Sequence, residues 1–78
     1  MLKRKTNIYN FPVIIEQSED GWYIAIVPDI PGCYTQGKTI NQAIERVKEA
    51  IEVCIGGDKD DFIMPMKFIG LQQVEVSL

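Results

Sequence analysis

The sequence predicts an α+β domain of two layers in the order β-β-β-α-β: an antiparallel three-stranded sheet plus one C-terminal strand, with one helix packed on one face. Three observations predict it. Apolar residues alternate with period two through Ile8–Gln17 and Trp22–Val27, each run ending in turn residues. A single apolar stripe at three- and four-residue spacing runs from Ile40 to Cys54. Val74, Val76 and Leu78 then alternate with Glu75 and Ser77.

In the first predicted strand Tyr9, Phe11, Val13 and Ile15 share one face. Pro12 lacks a backbone donor, which places this strand at a sheet edge or turns that position away from a neighbour. The polar stretch Ser18-Glu19-Asp20-Gly21 marks a turn. The second strand sets Trp22, Ile24 and Ile26 on one side and Tyr23, Ala25 and Val27 on the other. Both sides are apolar, and a strand buried on one face only would alternate with polar residues, so both faces of the sheet are expected to be covered. The helix supplies one cover, and a second subunit is expected to supply the other.

Pro28-Asp29-Ile30-Pro31-Gly32 follows, with Pro31 and Gly32 suited to the central positions of a type II turn. Cys33–Gln36 returns as a short third strand that Gly37 and Lys38 end. Thr39 with Gln42 forms a capping-box signature. The stripe Ile40, Ala43, Ile44, Val47, Ile51 and Cys54 then faces the sheet, while Glu45, Arg46, Lys48, Glu49 and Glu52 fill the outer face. Gly56-Gly57 stops the helix. Residues 58–67, which include Pro65, read as a loop before the last strand. If that strand lies parallel beside its predecessor, the connection is expected to be right-handed.

At 78 residues the chain has room for one domain spanning 1–78, with residues 1–7 expected as a flexible tail. Its core is small, so oligomerisation would add stability. The formal charge of −3 leaves no excess of Lys and Arg to track a phosphate backbone, and the one basic cluster, Lys3-Arg4-Lys5, sits in the tail. Direct nucleic-acid binding is therefore not expected; a basic partner protein would be attracted. Nothing resembles a secretory signal or a span able to cross a bilayer, and a cytoplasmic location is expected. With no histidine and no close cysteine pair, zinc spacing is absent, and Cys33 and Cys54 are read as small buried hydrophobes.

The most informative stretch is Val27-Pro-Asp-Ile-Pro-Gly-Cys-Tyr-Thr-Gln-Gly37, followed at once by Thr39-Ile-Asn-Gln-Ala43. With Phe11-Pro-Val-Ile-Ile-Glu16, the turn Glu19-Asp-Gly-Trp-Tyr23 and the helix segments Ala43-Ile44 and Lys48-Glu-Ala-Ile51, it resembles the HicB-like antitoxins from about Tyr9 to about Val53. The resemblance implies a partial ribonuclease-H-like fold, association into homodimers or larger homo-oligomers, and binding to a small, basic, HicA-like RNA-cleaving toxin. Many relatives add a C-terminal DNA-binding domain. After Gly57 this sequence offers only a loop and a strand, so it resembles a compact form of the family.

A ribonuclease-H-like fold raises the question of catalysis. Such a site needs several carboxylates converging on magnesium, beginning in the middle of the first strand, where this sequence has Val13, Ile14 and Ile15. Glu16, Glu19 and Asp20 lie at the strand end and turn, where acidic groups commonly solvate a loop. Asp58, Asp60 and Asp61 lack the glycine and terminal glutamate of a calcium loop. No catalytic, metal or cofactor residues are assigned, and the chain is read as a non-enzyme. The candidate partner-binding residues are Trp22, Tyr23, Asp29, Tyr34 and Gln36: aromatics bury large areas, and rigid turns present polar groups well. One of Trp22 and Tyr23 is expected to be core, and Gly32 and Cys33 are read as structural. The leading function is an antitoxin-like binding protein that neutralises its toxin by occlusion. The alternatives are an orphan self-associating structural or regulatory domain and, weakest, a metal-dependent nuclease.

Overall fold

The structure is a computed structural model that describes residues 8–56 and 65–78. The tail expected at 1–7, Gly57 and the acidic residues Asp58, Asp60 and Asp61 lie outside the described residues. Three antiparallel strands form one sheet in the order β1-β2-β3: β1 Ile14–Gln17, β2 Tyr23–Ile26 and β3 Tyr34–Gly37. Helix α1, Ile40–Ile55, crosses one face of it. The sheet is thus an α+β meander under a single helix, as the apolar periods require. The first strand is shorter than the predicted Ile8–Gln17: it begins at Ile14, two residues after Pro12, whose missing donor falls outside the ladder.

The turns are set by residues that suit their angles. Between β1 and β2, Gly21 has φ 92° and donates its N–H to the Ser18 carbonyl at 2.9 Å. Between β2 and β3, Cys33 N–H donates to the Ile30 carbonyl at 3.0 Å across Pro31 and Gly32, and Gly32 has φ 82°. That is the type II turn the sequence predicts: proline pre-sets its first central position and only glycine takes the second without strain.

Thr39 caps α1, its hydroxyl accepting from Gln42 N–H at 3.0 Å. The Gln42 side chain reaches back one residue further than a standard capping box and accepts from Lys38 N–H at 2.6 Å. Gly56 ends the helix at φ 85°, its N–H donating to the Glu52 carbonyl. Ala43 and Val47 of the helix close over Ala25, Val27, Ile30 and Cys33, and Phe11, Val13, Ile15, Tyr23, Ala50, Ile51 and Ile55 pack around this small core. The β3–α1 junction is tight. A Cβ built on Gly37 would stand 2.7 Å from the Ala43 backbone nitrogen and 3.0 Å from the Gln42 carbonyl carbon, so the first turn of the helix rests directly on the end of the strand.

Two expectations need correcting. The C-terminal strand is not formed: residues 65–78 hold no strand, and all of them but Phe68 are exposed. An alternating apolar sequence becomes a strand only where a neighbour accepts its backbone hydrogen bonds, and among the described residues no strand pairs with this segment. Cys54 is exposed rather than core. A 16-residue helix is about 24 Å long, whereas four-residue strands span about 13 Å. The last helical turn therefore reaches the margin of the sheet, where Ile55 still packs against the core but Cys54 is left exposed. Ile40, at the other end of the stripe, is likewise exposed.

Cys33 is buried, and burial, reinforced by the neighbouring Cys54 thiol, pushes its own thiol up to about 12. The thiolate is the reactive form. Alkylation of the folded chain at pH 8 is expected to modify Cys54 rapidly and Cys33 only after unfolding, as followed by mass spectrometry. Equal labelling of the two at early times would contradict this placement.

Candidate partner-binding face

The strand register sorts the side chains into two sets. Ile14 pairs with Ile26, Glu16 with Ile24, Ile24 with Gln36, and Ile26 with Tyr34. Side chains alternate across a sheet, and Ala25 lies in the core under the helix. Ile14, Ile24, Ile26 and Tyr34, together with Glu16 and Gln36, therefore occupy the opposite face, which no helix or strand among the described residues covers. Trp22 belongs to the same row as Ile24 and Ile26. Tyr34 is 66% exposed, and Ile14, Trp22, Ile24 and Ile26 are half-buried. Ile24, Tyr34, Thr35 and Gln36 line a shallow hollow of about 330 Å³ on the strand margin. At one end of the face, Lys38 Nζ lies 5.7 Å from the Trp22 ring centroid, within cation–π range.

Of the five candidate residues, Trp22, Tyr34 and Gln36 meet on this open face. Tyr23 is on the other side, packed against the core beneath the helix, so of the two adjacent aromatics it is the structural one. Asp29 is buried in the β2–β3 turn, and its carboxylate accepts from Phe68 N–H at 2.5 Å. It ties the start of the C-terminal segment to the turn. Candidate-residue reasoning left out Ile14, Ile24 and Ile26, although the apolar alternation on both sides of β2 was the signal that could have named Ile24 and Ile26.

Glu16, Glu19 and Asp20 are exposed at the end of β1 and in the turn after it. Among the described residues no group of three His, Cys, Asp or Glu side chains is placed to hold a metal ion. Among them, too, no helix is long and apolar enough to cross a membrane. What the arrangement offers is contact area: an apolar row on a rigid sheet, edged by Glu16, Gln36 and Lys38.

Comparison with known proteins adds to this geometry. The chain matches the family model described as HicB-like antitoxin of bacterial toxin-antitoxin system over residues 11–75. It is 47% identical over 66 residues to a UPF0150 protein of Archaeoglobus fulgidus, covering 85% of this chain and 93% of that one. It is 40% identical over 70 residues to a UPF0150 protein of Synechocystis sp., covering 90% of this chain and 99% of that one. With a UPF0150 protein of Thermotoga maritima the identity is 33% over 67 residues, covering 85% and 88% of the two chains. No solved structure matches. The family match takes in the three strands, the type II turn and the helix together, and the chain belongs to the HicB-like antitoxin family of bacterial toxin-antitoxin systems.

Proposed function

We propose that the chain is a non-catalytic, cytoplasmic, self-associating antitoxin that neutralises a small, basic, HicA-like mRNA-cleaving toxin by covering its RNA-facing surface. The observation that carries this reading is the uncovered apolar row Ile14, Trp22, Ile24, Ile26 and Tyr34 on a sheet whose other face is closed by the helix. Interfaces take most of their affinity from a few aromatic and aliphatic anchors in a rigid setting, and this row supplies them. Gln36 and Glu16 give polar contacts beside it. The net charge of −3 speeds encounter with a basic protein and adds little to the final affinity. Family membership supports a toxin as the partner, and the choice of a HicA-like ribonuclease follows from the sequence resemblance.

The test is co-expression. A small basic protein encoded next to this chain, and able to arrest growth when induced alone, is expected to lose that effect when both are made together and to co-purify with this chain. Growth arrest that persists with both proteins present at equal amounts would overturn the reading in favour of an orphan self-associating domain.

A further inference from the structure

Cys33 and Cys54 are distant in the sequence and neighbours in the fold. Cys33 closes the β2–β3 turn directly before β3, held by two backbone hydrogen bonds: its N–H donates to the Ile30 carbonyl at 3.0 Å and its carbonyl accepts from Val27 N–H at 3.0 Å. Its side chain is buried in the core with Val47, around which Ile51 and Ile55 pack. Val47, Ile51 and Cys54 follow at helical spacing, so the helix face laid over the core continues to Cys54. There the two thiols meet in a side-chain hydrogen bond.

The pair is asymmetric. Core packing accounts for a small apolar side chain at Cys33, but Cys54 is exposed and adds no such burial. What Cys54 has is access to dissolved oxidants on one side and a second thiol on the other. That is the arrangement of a cysteine that oxidises first, beside one that resolves it. Bringing the sulfurs from hydrogen-bonded contact to a covalent bond of about 2.05 Å asks only the last helical turn to settle. This turn can give: Glu52 and Val53 are exposed, and the helix ends at Gly56.

We propose that Cys33 and Cys54 are a redox switch: a hydroperoxide converts them to a reversible disulfide within the chain, stapling the end of α1 to the β2–β3 turn. In the first step the Cys54 thiolate attacks one peroxide oxygen, the O–O bond breaks, and Cys54 becomes a sulfenic acid as the peroxide is reduced to water. In the second the Cys33 sulfur attacks the Cys54 sulfur, the S–O bond breaks, and hydroxide leaves with the Cys33 proton as a second water. Burial holds the Cys33 thiol at about 12, so its thiolate is scarce at neutral pH and the second step is the slower one. A dithiol reductant returns both thiols. The closed loop, residues 33–54, contains β3 and nearly all of α1, so oxidation constrains the unfolded chain and stabilises the fold. In a reducing compartment such a bond forms only transiently, as a switch requires. The staple demands no toxin, so its fate is separate from that of the functional reading.

The test is hydrogen peroxide added to the reduced, purified full chain, with alkylation in denaturant afterwards. The mass of the single chain is expected to fall by two hydrogens, neither cysteine to take up the alkylating agent, and dithiothreitol to restore both. Trypsin cuts at Lys38, Arg46 and Lys48 separate the two cysteines, so a Cys33–Cys54 linked peptide pair should appear without reductant and vanish with it. The oxidised chain is expected to melt roughly 10–20 °C above the reduced one. Cys54→Ser, altered at an exposed position, should keep the parent circular dichroism and lose this shift. A disulfide-linked pair of chains joined through Cys54, Cys54 overoxidised to sulfinic acid with Cys33 still free, or an oxidised chain no more stable than the reduced one would each overturn the proposal.

Discussion

Gly37→Val is expected to remove most of the folded population at 37 °C, and Gly37→Ala to lower the melting temperature by roughly 5–20 °C. The cause is local. A Cβ at this position falls 2.7 Å from the Ala43 nitrogen and 3.0 Å from the Gln42 carbonyl carbon, both backbone atoms of the first helical turn. Side chains yield by rotating, but here the strand end and the helix must separate as rigid bodies. Moving them apart opens the core at Ala43 and weakens the cap made by Thr39 and Gln42. Forcing extra carbon into a packed interior costs about 1–3 kcal/mol and more where the backbone must shift. A domain of this size has only about 4–12 kcal/mol to lose, and each kcal/mol moves its melting point by roughly 4–8 °C. Gly70→Ala is the control, since nothing lies within 4 Å of its built Cβ and its backbone is not left-handed. Thermal denaturation followed by circular dichroism decides the matter. A Gly37→Val protein that melts within two or three degrees of the parent would show that the helix does not rest on this strand.

Gly37 also shows where the sequence is legible and where it is not. Elements fixed by neighbours in the chain could be read directly. Pro31-Gly32 specifies the type II turn through its own backbone preferences, Thr39 with Gln42 marks the helix start, and Gly56 marks its end. The apolar period of β2 placed apolar side chains on both faces of the sheet, one closed by the helix and the other left open by the described elements. Gly37 could be recognised only as a strand-ending glycine, because the demand for a bare Cα comes from the helix laid over it, a contact the local sequence does not encode. Cys54 fell on the correct helical face, but whether that face has a sheet beneath it depends on the relative lengths of two elements. The C-terminal strand failed for a related reason. Val74, Val76 and Leu78 have the right period, but period states a preference and pairing needs a partner. Among the described residues no strand pairs with them. Asp29 reads as a candidate partner contact on a rigid turn and is buried as a tie to Phe68, 39 residues away, which spacing alone does not reveal.

Ile24→Ala combined with Tyr34→Ala is expected to abolish neutralisation of the cognate toxin while the domain stays folded. Both side chains sit on the uncovered face and line the same shallow hollow, and neither belongs to the core under the helix. Tyr34 is two-thirds exposed, so its truncation leaves little cavity; Ile24 is half-buried, so some stability is lost there without unfolding the chain. In a complex the loss is larger. A central anchor is worth about 2 kcal/mol or more, so two of them account for about 4 kcal/mol, or roughly a thousandfold in dissociation constant. A growth-rescue assay gives the first readout and titration calorimetry against the purified toxin the second. Lys48→Ala, on the outer helix face where it pairs with the exposed Glu45, should change neither. Ile24 belongs to β2, the central strand, and Tyr34 to β3. Loss of toxin binding in I24A/Y34A with the parent circular dichroism retained would assign the open face to the partner. Full neutralisation by I24A/Y34A would show that the apolar row is not where the toxin docks.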